Sequence, residues 1–266
     1  MVSRKPSKED MSKSNKFIAT SDRVGHWIEK HRKVVFSLIV GLVVIGGAFA
    51  AWKTYCSYRE KQAQDSLYPY QARIEKIQAE VLKKDAEEKA KKKSEKDTLK
   101  ESQDNQSKDS LTADFGSLPD EYLKEISKYK GAKAGLISAI QLAALFMDYD
   151  NYDKAYEVLN QVLVSTGTKG VFFGLVHMQM GTVLGALNKY EEAKKFYDKV
   201  LKDKESEFLH SEAVLKIGLA EEKLGNREQA KAQYERASQE FASSEAGKSA
   251  KAYLRLMELE KAKMNP

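Results

Sequence analysis

The chain has 266 residues, 32% of them charged and only four of them proline. This length allows one or two domains, and the many helix-forming residues favour an all-α fold. Residues 1–33 hold nine Lys or Arg and four Asp or Glu, a balance of +5, so only +1 of the net charge of +6 remains for residues 34–266. This mixture of acids and bases argues against a nucleic-acid-binding surface, and the sole cysteine, Cys56, excludes an intrachain disulfide.

The first predicted element is a membrane-spanning helix. Residues 34–52 read VVFSLIVGLVVIGGAFAAW, nineteen residues without a charge. A helix of this length is about 28 Å long, close to the hydrocarbon thickness of a bilayer, and it has no polar face. We therefore predict a basic cytoplasmic tail over 1–33 and a transmembrane helix over 34–52. The basic tail stays in the cytoplasm under the positive-inside rule, so residues 53–266 lie across the membrane.

The same segment has an alternative interpretation as a cleaved signal peptide. Ala48-Phe49-Ala50 has the A-x-A form of a cleavage site, and cleavage after Ala50 would remove the anchor. The 33-residue leader is long for a signal peptide, and the apolar character continues through Trp52. Both features favour the anchor.

Two further segments precede the repeats. Residues 53–82 are predicted as a juxtamembrane amphipathic helix, in which Pro69 would kink or restart the helix. Its apolar stripe, which either docks onto the repeat domain or pairs with another protein, consists of Leu67, Tyr70, Ile74, Ile77 and Val81. Residues 83–112 are predicted as a charged linker, disordered or a frayed helix, because so few apolar residues cannot offset the entropy of ordering.

Residues 113–266 contain three similar segments, 38 and 37 residues apart. Each has an alanine in a charged run, a small residue twelve positions earlier and a large apolar residue four positions later. These are Ala143, Ala155 and Leu159, then Gly181, Ala193 and Tyr197, then Gly218, Ala230 and Tyr234. The small residue lets a second helix approach and pack at its alanine, so the pattern predicts antiparallel helix pairs. Turn residues separate the two helices at 148–151, 187–189 and 224–226. An opening helix is predicted over 118–129 and a capping helix from 244.

The pattern resembles the tetratricopeptide repeat (TPR), which has a small eighth residue, an aromatic near the seventeenth and alanine at the twentieth. The spacing exceeds the usual 34 residues, and the consensus Trp and Pro are absent. The resemblance implies a TPR-like α-solenoid of about three helix pairs plus a capping helix, so the predicted all-α chain has an N-terminal transmembrane helix followed by this solenoid. It also implies a concave partner-binding groove, either open or filled by the opening helix or the stripe. Its lining would be Ile137, Ile140, Ala144, Met147, Leu175, Met178, Thr182, Gly185, Glu212, Leu215, Leu219 and Glu222. This mostly apolar lining suits an amphipathic helix or an extended apolar segment of a partner.

The whole architecture resembles the YfgM-type ancillary subunits of the SecYEG translocon. The resemblance implies a single-pass protein of the bacterial inner membrane with a periplasmic C-terminal domain that assists protein export or folding. The implied partners are translocon subunits, a membrane-anchored chaperone and exported client chains. One alternative is a structural scaffold subunit of an envelope secretion, pilus or outer-membrane assembly complex, with the stripe bound to a fixed partner. Another is a eukaryotic organelle receptor with cytosolic repeats, which conflicts with the basic N-terminus.

No catalytic, cofactor or metal site is expected. None of the four histidines, His26, His31, His177 and His210, lies at metal-ligand spacing with another. The sequence contains no nucleophile elbow, phosphate-binding loop or H-E-x-x-H run. We therefore predict a non-enzymatic protein-interaction module.

Overall fold

The computed structural model describes residue 27, residues 30–94 and residues 108–264. Within these ranges it contains helices and turns and no strand, as the composition predicts. The α-helices are α1 Arg32–Ser94, α2 Lys108–Phe115, α3 Leu118–Lys128, α4 Lys133–Asp148, α5 Tyr152–Leu163, α6 Val171–Ala186, α7 Tyr190–Lys202, α8 His210–Lys223, α9 Arg227–Glu240 and α10 Glu245–Met264. Short 3-10 helices lie at Val164–Thr166 and Lys204–Leu209.

The chain divides into two compact units, Met1–Tyr58 and Arg59–Pro266. In the first unit, the apolar side chains of α1 are largely exposed, including Phe36 and Leu42, each 69% exposed. Among the described residues, this is the one helix long and apolar enough to cross a membrane, judged by length and composition. Most of the predicted cytoplasmic tail lies outside the described residues.

In the second unit, the stripe of α1 packs against α3. The side chains of Leu67 and Ile74 are buried, and the rings of Tyr70 and Tyr122 stack with their centroids 5.4 Å apart. Near the other end of α3, the Arg59 guanidinium donates to the carbonyl of Lys128 at 3.1 Å. The two helices therefore run antiparallel, as the two helices of one repeat do.

The same part of α1 runs parallel to α4. The Glu60 carboxylate accepts hydrogen bonds from the backbone N–H groups of Lys133 and Ala134, each at 2.8 Å. These are orphan donors of the first turn of α4, and the N-cap residue, Ala132, has no side chain that could satisfy them. Glu60 thus caps a helix 73 residues later in the sequence. Because α1 pairs with α3 and lies beside α4, it acts as the first helix of an additional, opening repeat.

The structure changes the predicted segment boundaries. Residues from Arg59 onward belong to the repeat unit, whereas the prediction separated 53–82 from a domain beginning at 113. The first part of the predicted linker is helical, which is one of its two alternatives, because α1 continues to Ser94. Its last part belongs to α2, which begins at Lys108 and has Leu111 buried. Residues 95–107 of the linker lie outside the described residues.

The helix does not restart at Pro69, because α1 is one helix through this residue. Pro69 lacks the N–H that would bond the carbonyl of Asp65 four residues earlier. Both residues are exposed, so water can satisfy that carbonyl.

The pairs α4–α5, α6–α7 and α8–α9 form the three predicted repeats, and their internal turns share one geometry. A residue with positive φ follows each first helix, namely Asp150 at 54°, Asn188 at 61° and Gly225 at 82°. The next N–H bonds back across the helix end, as from Asn151 to the carbonyl of Phe146 at 2.8 Å. This is a Schellman turn, which satisfies the last carbonyls of the helix. The turns lie where the sequence predicts them.

Close packing within each repeat centres on the small residue, with one difference from the prediction. A Cβ atom added to Gly181 would collide with the ring of Tyr197, and one added to Gly218 would collide with the ring of Tyr234. The glycine therefore accommodates the large side chain that follows the alanine by four residues, a contact that the sequence pattern did not assign to it. The first repeat has Ala143 and the smaller Leu159 at these two positions.

We expect Gly181→Ala to lower the free energy of unfolding by about 1–2 kcal/mol, because its methyl group overpacks the ring of Tyr197. Urea unfolding of the full chain in non-ionic micelles, followed by circular dichroism, measures this change. Gly185→Ala in the same helix is the control, because nothing lies within 4 Å of its added Cβ. A combined Gly181→Ala/Tyr197→Leu variant should lose less than the sum of the two single losses. Strict additivity would contradict the proposed contact.

We expect Glu60→Ala to destabilise the repeat unit by about 1–2 kcal/mol, because it removes the cap on the first turn of α4. Glu80→Ala, an exposed acid of the same helix, is the matched control and should have little effect. Urea unfolding of both variants under identical conditions checks the difference. Equal losses would mean that the capping bonds contribute nothing measurable.

Candidate partner-binding groove

The α4 part of the predicted groove lining is the most accessible. Ile137 is 42% exposed, and Ile140, Ala144 and Met147 are each half-buried. The side-chain hydrogen bonds from α1 reach Ser138 and Gln141, which are not lining positions. The apolar stripe of α1 is thus used in packing beside the lining, and Ile137 keeps its exposure.

The α6 part of the lining is more enclosed. Leu175, Thr182 and Gly185 are half-buried, but Met178 is only 6% exposed and belongs to the core. The amide of Gln179 donates to the sulfur of Met147 at 3.2 Å, which links α6 to the α4 lining. Met178 therefore offers a partner little surface, because it fills the space between packed helices instead.

The α8 part carries acids at its two ends. Leu215 and Leu219 are half-buried against a second hydrophobic cluster that includes Tyr234, whereas Glu212 and Glu222 are exposed. The Tyr234 hydroxyl donates to the Glu222 carboxylate at 2.6 Å. Burial, together with this carboxylate, raises the pKa of Tyr234. Glu222 is thus held in place by the residue that also packs on Gly218.

His177 lies in the core next to the lining and has aromatic neighbours. It is 4% exposed, its ring centroid lies 3.9 Å from that of Phe173, and its Nδ1 bonds the carbonyl of Phe173. Burial lowers the pKa of His177, partly offset by that carbonyl. Burial also raises the pKa of Tyr197 to about 12. Across residues 30–94 and 108–264, no three His, Cys, Asp or Glu side chains are grouped so that they could hold a metal ion.

The stripe of α1 docks onto the repeat domain, which is one of the two alternatives that the sequence left open. Glu60 and Gln71 form hydrogen bonds with α4 residues that lie 67 to 74 residues later in the chain. The spacing of the stripe indicated a packed face but could not identify the helix that it contacts. The charged residues that follow the stripe suggested a boundary, so residues 53–82 were predicted as a segment separate from the repeat domain.

Comparisons with known proteins give one family match. A family model described as "Tetratricopeptide repeat-like domain" matches residues 26–262. No curated protein sequence matches the chain. Among solved structures, the chain is similar to the one titled "Crystal structure of MamA", with 18% identity, a TM-score of 0.37 and coverage of 61% of this chain and 98% of that chain. This structural similarity is too low to support an argument about function.

The family match extends over most of the chain, from before the apolar segment into α10. It includes α1, whose part from Arg59 onward belongs to the repeat unit, and the three later helix pairs. The chain belongs to the tetratricopeptide repeat-like domain family.

Proposed function

We propose that this protein is a single-pass membrane protein whose repeat unit binds protein partners through the groove defined above. The repeat unit lies on the periplasmic side of a bacterial inner membrane, next to the Sec translocon, and assists protein export or folding. The observation that carries the proposal is the partly exposed apolar lining of α4, α6 and α8, on a fold whose members bind other proteins.

The lining has the chemistry of a peptide site. Ile137, Ile140, Leu175 and Leu215 offer partly exposed apolar surface along three parallel first helices. An amphipathic helix or extended apolar segment buries its own apolar side chains on such a surface. The exposed acids Glu212 and Glu222 lie at the α8 end, where basic residues of a partner would be favoured.

The membrane assignment is supported by the first unit. Side chains such as Leu42 and Ile45, which are 69% and 67% exposed, would form a large apolar patch in water. Burial in a bilayer removes the free-energy cost of exposing this patch to water. The basic residues before position 34 favour a cytoplasmic N-terminus and hence a periplasmic repeat unit.

The scaffold alternative loses the surface on which it depended. It needed the stripe of residues 67–81 to bind a fixed partner, but Leu67 and Ile74 are buried within the repeat unit. A permanent partner would have to bind through the groove or another face.

Site-specific crosslinking in native membranes tests the groove. Photoreactive groups would replace Ile137, Ile140 and Leu215, with controls at Glu157, Lys195 and Lys231, exposed residues of the second helices. We expect crosslinks to several exported chains and to translocon subunits from the groove positions and not from the controls. A single stoichiometric partner would favour the scaffold alternative. Crosslinks from the controls alone would remove the groove as the binding site.

The topology has a separate test that uses the sole cysteine. Cys56 is exposed and lies four residues beyond the predicted membrane segment. We expect a membrane-impermeant maleimide to label Cys56 in intact spheroplasts. In a Ser14→Cys/Cys56→Ser variant, labelling should require lysis. The reverse pattern would place the repeat unit in the cytoplasm, and an intact mass lacking residues 1–50 would show that the anchor is cleaved.

A further inference from the structure

The turns that join α3 to α4, α5 to α6 and α7 to α8 lie along one edge of the repeat unit, because successive helices run antiparallel. With the adjoining helix ends, they comprise residues 128–133, 164–171 and 199–209. The last two are bonded to each other. The Gly170 N–H donates to the Asp203 carboxylate at 2.7 Å, and the Ser206 hydroxyl donates to the Gly170 carbonyl at 3.1 Å. We call these three segments the inter-repeat edge.

Exposed apolar side chains are concentrated on the inter-repeat edge. Val164 is 93% exposed, Phe208 is 57% exposed and Val171 is 50% exposed. Within residues 108–244, the one other large apolar side chain in the exposed class is Ile137, which belongs to the proposed groove. The turns inside the three repeats carry none. Water therefore meets most of the exposed apolar surface of the helix pairs at this one edge.

The two edges of the repeat unit carry opposite charge. Residues 128–133 and 164–171 of the inter-repeat edge contain four Lys and no Asp or Glu, a balance of +4. Residues 148–153 and 187–192, the turns inside the first two repeats, contain five Asp or Glu and one Lys, a balance of −4. The third segment on each edge is neutral, since residues 199–209 contain three Lys and three acids and residues 222–228 contain two basic and two acidic residues. An anionic surface is therefore attracted to one edge and repelled by the other.

An open cleft of about 580 Å³ lies on the inter-repeat edge, and its free charges are positive. Its lining includes four lysines, namely Lys169, Lys199, Lys202 and Lys204. Of the two acids in the lining, Asp203 accepts hydrogen bonds from three donors of the turns, and Glu205 pairs with Lys169 at 3.3 Å. Within the described part of the chain, the other three lysines form no ion pair. The cleft thus has room and charge for a phosphate group.

We propose that the inter-repeat edge docks onto the anionic phospholipid surface of the membrane that holds α1. The lysines pair with lipid phosphates, and Val164, Val171 and Phe208 enter the apolar side of the headgroup region. The chain itself favours this contact, because Arg59, which bonds the Lys128 carbonyl at this edge, follows the apolar segment by only seven residues. So short a tether keeps the edge at high effective concentration near the lipid. The inference rests on the membrane anchor of the proposed function and specifies a second contact with the same membrane.

Fluorescence quenching by lipid tests the docking. In a Cys56→Ser background, the full chain carries an environment-sensitive fluorophore on a single cysteine introduced by Thr168→Cys, an exposed position of the edge. It is reconstituted in vesicles of phosphatidylcholine, with or without about one third phosphatidylglycerol, that contain a spin-labelled quencher lipid. We expect strong quenching with phosphatidylglycerol, weaker quenching without it, and a loss of the difference at high salt. A label at Lys223→Cys, exposed on the opposite edge, should stay unquenched.

Substitutions in the labelled chain identify the contacts. Replacing Lys199, Lys202 and Lys204 with Gln should lower the docking equilibrium constant by about fivefold per lysine. A matched triple variant, which removes the same charge from exposed lysines away from the edge, replaces Lys189, Lys195 and Lys223 with Gln and should have little effect.

The apolar contact has its own pair of variants. Phe208→Ser should weaken docking by about fivefold, because its ring no longer enters the bilayer interface. Leu256→Ser on α10 is the control, since Leu256 is 55% exposed, close to the value for Phe208, and lies outside the edge. Equal effects of the two substitutions would contradict the assigned contact.

The outcomes separate this contact from the proposed function. Equal quenching in the two kinds of vesicle, or at the two labels, would overturn the inter-repeat edge as an anionic-lipid surface. So would an absence of quenching combined with crosslinks from position 168 to a protein in native membranes, which would make the edge a protein-binding surface. If the chain floats with phosphatidylcholine vesicles in either case, the anchor stands and only this inference fails. If the chain floats only with vesicles that contain phosphatidylglycerol and position 168 is quenched there, the edge binds lipid and the proposed anchor is wrong.

Discussion

The repeat unit depends on the docking of α1 onto α3 and α4. Leu67 and Ile74 supply the apolar contact, and the Glu60 carboxylate satisfies two N–H groups at the start of α4. The apolar contact favours burial but is weakly directional, whereas the capping bonds fix α1 lengthwise beside α4. Through these contacts, α1 covers the side of α4 that faces away from the later repeats. A solenoid needs such a cap, because each repeat buries its apolar face only against the next one.

The later repeats also pack their helices closely, but they use different side chains to do so. In two of them, glycine on the first helix accommodates a tyrosine ring from the second, and the rings of Tyr197 and Tyr234 are almost fully buried. At the far end, Tyr253 of α10 stacks on Tyr234 at 5.1 Å, so the last helix covers the third pair. The proposed groove lining lies on the first helices, so its shape depends on how those helices pack on their opposite sides. The shape of this surface therefore depends on the packing of all the repeats together.

The sequence predicts the three later helix pairs well, because one pattern of side chains recurs three times at nearly constant spacing. The turns are predictable for the same reason, since Asp150, Asn188 and Gly225 are residue types that tolerate positive φ. The apolar stripe and the opening helix over 118–129 were both predicted, but their pairing into one repeat was not. A charged stretch separates them, and Glu60 meets its partners only in three dimensions. The positions of the proposed lining stay a prediction, and the exposure of each side chain could not be predicted from the sequence. Met178 and Ile137 are both apolar residues at lining positions, yet only the packing of neighbouring helices decides that one is buried and the other open.

The long separation between the two halves of the opening repeat affects the order in which the protein can form. Chains are made from the N-terminus, so Leu67 and Ile74 are synthesised well before residues 118–148, which cover them. Until those residues are available, the stripe of α1 is an uncovered apolar surface and α4 does not yet exist to receive Glu60. The three later pairs contain their partners within about 30 residues and can close in turn. Closing the opening repeat therefore requires contacts that span up to 74 residues, a longer separation than that within any later pair.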